Sequence, residues 1–283
     1  MSLFKPKVKA PNPDFLQHMN TILEKNSLTT VCEAAACPNR AECYARGSAT
    51  FMILGNRCTR KCTFCNVETG SGEVVDESEA QRVANAVAEL ALEYVVITSV
   101  DRDDLADYGA AHFKRCVEAI KRVNPHIKIE LLTPDFKYDK SSLELIIESD
   151  VYKLAHNQET VRSLSKSVRP QSDYGRSLKV LEYYVKHSNV GVKSSLMVGL
   201  GESESELKES MQDLLDVGVS ELTLGQYLQP TPKHHRVEKY YSAEFFEDIK
   251  EEAYSMGFKA VAAGVLVRSS YFAEKLGEND ERS

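Results

Sequence analysis

The stretch "CTRKCTFC" holds Cys58, Cys62 and Cys65 at C-x3-C-x2-C spacing, directly behind the apolar run Phe51 to Leu54. Three thiols so close in sequence can face one centre only from a loop. Three is an awkward number for a closed structural zinc site, which takes four ligands. Thiolates are also the usual ligands of iron–sulfur clusters, and a cube held by three of them keeps one iron open to a small molecule. Such a cluster does chemistry and does not merely carry electrons. A second triplet lies upstream in "CEAAACPNRAEC", with Cys32, Cys37 and Cys43, so six of the seven cysteines fall in the first quarter of the chain. The plainer alternatives are zinc and buried structural cysteines.

The elements that must position these groups belong to one large domain with a short extension at each end, the default for 283 residues. Hydrophobic residues at 42% and charged residues at 27% are ordinary for a globular chain. A net charge of -7 argues against nucleic acid as a partner, because phosphate-backbone binding needs clustered Lys and Arg. The N-terminus lacks an apolar signal region, and no run approaches the roughly 18 to 20 apolar residues of a membrane span. A cytoplasmic protein with no membrane partner is expected, its thiols reduced and so metal ligands before they are disulfides.

After the cysteines, short β-rich runs alternate with longer amphipathic segments. Helices are expected over "SEAQRVANAVAELALE", "GAAHFKRCVEAIKRV", "SSLELIIESD", "ETVRSLSKSV", "YGRSLKVLEYYVKH", "SESELKESMQDLLDVG" and "SAEFFEDIKEEAYSMG". Ser78/Gln81, Ser141/Glu144 and Ser203/Glu206 read as capping boxes. Strands are expected at "YVVITSV", "HIKIELLTP", "VYKLAH", "VGVKSSLMVGL", "SELTLGQYL" and "FKAVAAGVL". Counting the strand before Cys58, six or seven strand–helix units result, which implies a parallel sheet with right-handed crossovers. That is too few for a full eight-unit barrel, so the fold class is α/β, a partial (β/α)6 TIM-like barrel. Loops at the carboxyl ends of its strands are where chemistry collects, and Cys58, Cys62 and Cys65 follow a strand directly. The Pro-containing N-terminus and the polar tail after Leu276 read as linker-like.

With Phe64 before the third cysteine, the radical motif resembles that of the radical S-adenosylmethionine enzymes. The upstream triplet narrows the resemblance to the lipoyl synthase family, and the likeness continues through "ATFMILG", "ITSVDRDDLADYGAAHF", "ELLTPDF", "HNQETV", "LMVGLGE", "LTLGQYLQPT" and "LVRSSY". That resemblance implies two 4Fe-4S clusters and S-adenosyl-L-methionine. Cys58, Cys62 and Cys65 would hold the first cluster, whose open iron chelates the methionine moiety and yields a 5'-deoxyadenosyl radical. Cys32, Cys37 and Cys43 would hold an auxiliary cluster with a serine of "RSSY" as fourth ligand, Ser270 before Ser269. Oxygen is a poorer partner than thiolate for such iron, so that corner suits a cluster that gives up two sulfurs. Read on the residues alone, "RSSY" is a polar turn or helix start whose serines cap backbone amides.

The resemblance further implies sulfur insertion at carbons 6 and 8 of a protein-bound octanoyl group. Partners would be octanoylated lipoyl carrier domains, namely the glycine-cleavage H protein and the acyltransferase subunits of 2-oxoacid dehydrogenases. A low-potential electron donor such as flavodoxin or ferredoxin and an iron–sulfur cluster carrier would serve the clusters. Residues 1–48 would carry the auxiliary motif, 49–267 the radical SAM core barrel, and 268–283 a segment closing over the auxiliary cluster.

Cofactor contacts are expected at Phe64, Thr98, Ser99, Glu130, Asn157 and Gly199. Thr98 and Ser99 end a strand where the superfamily contacts the amino group of the methionine moiety; alternatively they precede an Asp-rich turn in which Asp101 or Asp103 caps the next helix. Glu130 lies in a buried strand, where a carboxylate needs a partner such as a ribose hydroxyl. Gly199 and Gly201 either approach the cofactor closely or form a helix entry. His156 and Asn157 also follow a strand. His234 and His235 read as loop residues and Cys116 as core. The chain departs from the family pattern at Tyr108 and Ser195, where glycine is usual, at Val265, where proline is usual, and in having no Trp.

Overall fold

The computed structural model describes residues 13–35, 37, 39–45, 49–271, 273 and 276. Ten strands follow in chain order: β1 (Thr29–Thr30), β2 (Thr50–Ile53), β3 (Arg57–Cys58), β4 (Glu68–Thr69), β5 (Tyr94–Ser99), β6 (Lys128–Leu132), β7 (Lys153–Ala155), β8 (Gly191–Val198), β9 (Glu221–Gln226) and β10 (Ala260–Gly264). The helices are α1 (Pro13–Lys25), α2 (Val31–Ala34), α3 (Arg40–Ala45), α4 (Glu79–Glu89), α5 (Ala110–Val123), α6 (Lys140–Ile147), α7 (Arg162–Val168), α8 (Tyr174–His187), α9 (Glu204–Asp216) and α10 (Ala243–Met256).

The main sheet runs β1-β2-β5-β6-β7-β8-β9-β10, with every pair from β2 onward parallel and only β1 antiparallel to β2. Six strand-to-helix crossovers and a final strand therefore make an open barrel, because β10 pairs with β9 alone among the described residues. The strands bury both faces, as parallel strands covered by helices must. The larger apolar core among the described residues joins Phe51 and Ile53 of β2 to Val83 of α4, Phe113 of α5 and Leu154 of β7, and also takes in Met19 and Ile22 of α1. From Pro13 to Lys25 the N-terminal segment is thus a packed helix where a linker is expected, and residues 1–12 lie outside the described residues. The tail beyond Leu276 lies outside the described residues.

Helix starts depend on local competition for oxygen. Ser203 and Glu206 form the expected capping box on α9. Ser78 does not cap α4, because its hydroxyl donates to Asp76 Oδ1 at 2.7 Å. On α6 the cap is Asp139, whose Oδ2 accepts from the Ser142 amide at 2.8 Å and from the Ser141 hydroxyl at 2.5 Å. Neither Asp101 nor Asp103 caps α5; its N-cap position is Gly109, and Asp107 just before it accepts from the Gly109 and Ala111 amides. Helix α7 starts at Arg162, later than its apolar pattern suggests, because Glu159 (φ 68) forms a bridge with Leu196.

One buried carboxylate pins the entrance to the cysteine loop. Beyond β2 the chain turns through Leu54 (φ 70) and Gly55 (φ 90). Glu79 Oε2 on α4 accepts from the Leu54 amide at 2.8 Å and lies 2.7 Å from His112 Nε2 on α5. Charged acceptors of buried amides contribute about 1.5 to 3 kcal/mol each. Glu79→Ala is therefore expected to destabilise the protein by about 2 kcal/mol, read as a lower thermal midpoint. An unchanged midpoint would show that the turn holds without it.

Candidate active site

Both cysteine motifs open onto one cavity of about 510 Å³ at the carboxyl ends of the strands. Its wall includes Cys58, Cys62 and Cys65 from the loop after β2, Cys32 and Cys37 from the N-terminal segment, and Ser269 and Ser270 from the segment after β10. Phe64, Thr98, Ser99, His156 and Asn157 also line it. Cys43 is buried on α3 but does not line the cavity; its neighbour Tyr44 turns inward to meet the Thr30 hydroxyl at 2.6 Å.

The cysteine loop is tied down from every side. Strands β3 and β4 close its ends, and the Gly70 amide donates to Cys58 O at 3.0 Å. Thr59 accepts the Asp103 amide on its hydroxyl at 3.0 Å and donates to Asp101 O at 2.9 Å. The Thr63 amide donates to Val168 O, and the His235 amide donates to Thr63 O, both at 2.8 Å. His234 Nε2 donates to Cys65 O at 3.1 Å, a structural contact that suits its reading as a loop residue. Asn66 donates to Ala34 O at 2.9 Å, which fastens the loop to the N-terminal segment.

Arg60, between the first two cysteines of the loop, has a side chain only 2% exposed. It reaches Asp103 at 2.8 Å, Asp135 at 2.6 Å and Asp101 at 3.2 Å. Arg176 meets Asp135 at 2.8 Å and Lys137 meets Asp103 at 2.9 Å, so three carboxylates face three cations. Burial alone would raise the Asp135 pKa, but the Arg60 and Arg176 guanidiniums outweigh it and hold the carboxyl well below its usual range. Asp101 is pushed up by burial, against the pull of Arg60. These engagements explain why Asp101 and Asp103 cap no helix.

The amides of Arg60 and Asp101 each point at Cys58 Sγ from 3.4 Å. Burial pushes the Cys58 and Cys62 thiols up to about 12 and Cys32 and Cys65 up to about 11. Such thiols become thiolates only when a positive centre offsets burial, which bound metal does. Among the described residues no three His, Cys, Asp or Glu side chains converge as they would on a single metal ion. Cys32, Cys37, Cys58, Cys62 and Cys65 line one shared space.

Several buried polar atoms in this wall lack a protein partner: Ser99 Oγ, Asn157 Oδ1 and Arg169 Nε. Arg169, after α7, donates its Nη1 to Gln158 O at 3.1 Å, while its Nε has no protein partner. Glu159, pushed up by burial, accepts from Asn157 Nδ2 at 3.0 Å. Thr98 is partly engaged, donating to Leu132 O at 2.8 Å. His156 is spent: Nδ1 donates to Thr133 O at 2.8 Å, Nε2 meets Ser177 Oγ at 3.0 Å, and burial with nearby Arg169 lowers its pKa to about 4.

Two expected cofactor contacts lie elsewhere. Glu130 is fully buried but off the cavity, paired with Lys193 and accepting from Tyr94. Gly199 (φ 98) is off it too, for a Cβ there would come within 2.2 Å of Gln226 Nε2 and 2.5 Å of Lys239 O. The amides of Gly199, Leu200 and Gly201 converge on the Glu202 carboxylate, a closed helix entry. Arg60, Glu159 and Arg169 escaped sequence reasoning, although Glu159 sits in the quoted "HNQETV" and Arg60 inside the cysteine motif itself.

Residues 52–214 match the Radical SAM superfamily. In fold, the chain is similar to Streptococcus suis SuiB bound to S-adenosylmethionine, with a TM-score of 0.61 at 14% identity over 81% of this chain and 54% of that one. The chain is thus a radical SAM enzyme, whose cofactors are S-adenosyl-L-methionine and a 4Fe-4S cluster. Over 279 residues it is 48% identical to the lipoyl synthase of Cronobacter sakazakii, covering 97% of this chain and 87% of the relative. It is 49% identical over 273 residues to that of Klebsiella pneumoniae subsp. pneumoniae, covering 95% and 84%. The chain belongs to the lipoyl synthase family.

Removing the central cation tests the loop's anchorage. Among the described residues, Arg60→Ala leaves Asp101 without an ion-pair partner and Asp103 and Asp135 with one cation each, and is expected to cost roughly 3 to 5 kcal/mol, with iron and sulfide content falling in the purified protein. The depressed Asp135 pKa also gives a sign: its contribution is present at neutral pH and lost as pH falls below about 4. An Arg60→Ala protein with wild-type stability and metal content would contradict this role.

Proposed function

We propose that this chain makes lipoyl groups by inserting two sulfur atoms at carbons 6 and 8 of a protein-bound octanoyl chain, with its two cysteine triplets in separate roles. The observation that supports this reading is one cavity lined by Cys58, Cys62 and Cys65, by Cys32 and Cys37 of the upstream triplet, and by Ser269 and Ser270. Cys58, Cys62 and Cys65 would hold one cluster, which with S-adenosyl-L-methionine would supply one 5'-deoxyadenosyl radical per carbon. Cys32, Cys37 and Cys43 would hold the auxiliary cluster and its sulfur, with Ser270 as the favoured fourth ligand and Ser269 second.

The chain's own residues orient the rest. The methionine moiety carries one ammonium and one carboxylate; Glu159 and Arg169 offer the matching charges beside the cysteine loop, and the free atoms of Ser99 and Asn157 suit its polar edges. Met52, Leu132, Met197, Tyr227 and Leu228 give the cavity an apolar wall, as an octanoyl chain without polar handles near its reacting carbons requires. Octanoylated carrier domains such as the glycine-cleavage H protein or 2-oxoacid dehydrogenase acyltransferases, a flavodoxin- or ferredoxin-like reductant and a cluster carrier complete the system, in the cytoplasm. Among the described residues no helix is long and apolar enough to cross a membrane.

Separate roles make separable variants. Cys62→Ala is expected to form no 5'-deoxyadenosine. Cys37→Ala is expected to form it from S-adenosyl-L-methionine and an octanoylated carrier, yet to add no sulfur to the acyl chain. Mass spectrometry of the carrier, beside quantified deoxyadenosine and iron, reads both. A Cys37→Ala protein that thiolates the carrier at normal yield would defeat the assignment of the donor.

A further inference from the structure

One layer deeper in the barrel than the cavity lie four charged side chains for which the proposed reaction has no use. Lys193 on β8 and Glu130 on β6 are both 0% exposed and pair at 2.5 Å, while Tyr94 on β5 donates to Glu130 Oε2 at 2.6 Å. Lys153 on β7 pairs with Glu221 on β9, also at 2.5 Å. Along the sheet, Glu130 stands opposite Lys153 and Lys193 opposite Glu221. Well-packed apolar residues often stabilise such a site as well as buried ion pairs do. Packing alone therefore does not account for this cluster.

What the two ammoniums reach is the C-terminal segment. Lys193 Nζ donates to Ser269 O at 2.7 Å, and Lys153 Nζ donates to Leu276 O at 3.0 Å. Other contacts fit the same segment to the barrel and to the N-terminal triplet. Gly225 on β9 admits Val267 O, which would come within 2.1 Å of a Cβ there. Asn39, between Cys37 and Cys43, donates to Leu266 O at 2.5 Å, and Tyr271 donates to Glu42 Oε2 at 3.0 Å. An ammonium on a backbone carbonyl holds a residue in place without engaging its hydroxyl. Ser269 and Ser270 thus keep their side chains on the cavity wall.

We propose that Lys193 and Lys153, each clamped by a carboxylate, are positioning residues for sulfur delivery: they fix the C-terminal segment so that a serine hydroxyl faces the auxiliary cluster. This rests on the reading of the "RSSY" serine as that cluster's ligand. The test removes both charges of a pair together, so that neither is left alone. In the full-length protein, Lys193→Met with Glu130→Gln is expected to keep deoxyadenosine formation within twofold of the parent. Lipoyl product on an octanoylated carrier should fall at least tenfold, with iron lost to a chelator from the auxiliary cluster first. Adding Ser270→Cys to that background is expected to restore iron towards about eight per chain, because a thiolate grips the fourth iron more firmly than a hydroxyl. Retained deoxyadenosine formation reports that the barrel is folded. If it is lost, Lys153→Met with Glu221→Gln carries the test by the same criteria. Sulfur delivery at parental yield from a folded variant of either pair would overturn the proposal. The double change Ser269→Ala and Ser270→Ala separates the two readings: if it leaves the auxiliary cluster as stable as before, the serine ligand fails; if it loosens that cluster while the lysine variants do not, the positioning role alone fails.

Discussion

The guanidinium of Arg60 is the contact on which the site depends. It belongs to the cysteine loop yet is buried against Asp101, Asp103 and Asp135, which come from the ends of β5 and β6. A loop with three thiols must hold them in fixed relation to a cofactor, and a loop left to itself would sample many shapes. Burying a charge from within the motif resolves this, because any shift of the loop leaves a cation or a carboxylate unpaired in a poorly solvated place. The same arrangement brings the Arg60 and Asp101 amides to Cys58 Sγ, so loop shape and sulfur environment are set together.

The open barrel serves the second half of the site. A closed barrel would fill its interior with side chains. Here, among the described residues, the sheet stops at β10 without joining β2. The N-terminal segment enters the sheet through β1 and is tied to the cysteine loop by Asn66, while the C-terminal segment is held by Asn39, Gly225, Lys153 and Lys193. Residues from both ends of the sequence so reach one cavity with residues from its middle.

The alternation of strands and helices was legible because it rests on periodicity, and α8 runs over Tyr174–His187 as its apolar spacing implies. Capping was less legible. Each start offers several short polar side chains: Asp139 wins over Ser141 at α6, and Asp76 takes the Ser78 hydroxyl away from the start of α4, through contacts that spacing alone does not rank. Helix α1 was hidden behind prolines, one of which, Pro13, is its first residue. At the site the cysteines and the serines declared themselves by type and order. Glu130 misled because its partner Lys193 is remote in sequence, and Gly199 because a close backbone approach and a cofactor approach ask for the same residue. Arg169 gave no local signal, since only the fold brings it to the cavity wall.

The central claim is that the cluster held by the upstream triplet is consumed as the sulfur source. The most direct measurement is a single turnover of protein whose clusters were assembled anaerobically with heavy sulfide, run with an octanoylated carrier and with light sulfide in the buffer. Mass spectrometry of the carrier then reads the origin of each sulfur. Both sulfurs of the lipoyl group are expected to be heavy, with an equal loss of heavy acid-labile sulfide from the protein. Light sulfur in the product, or heavy product with no loss from the protein, would contradict the account.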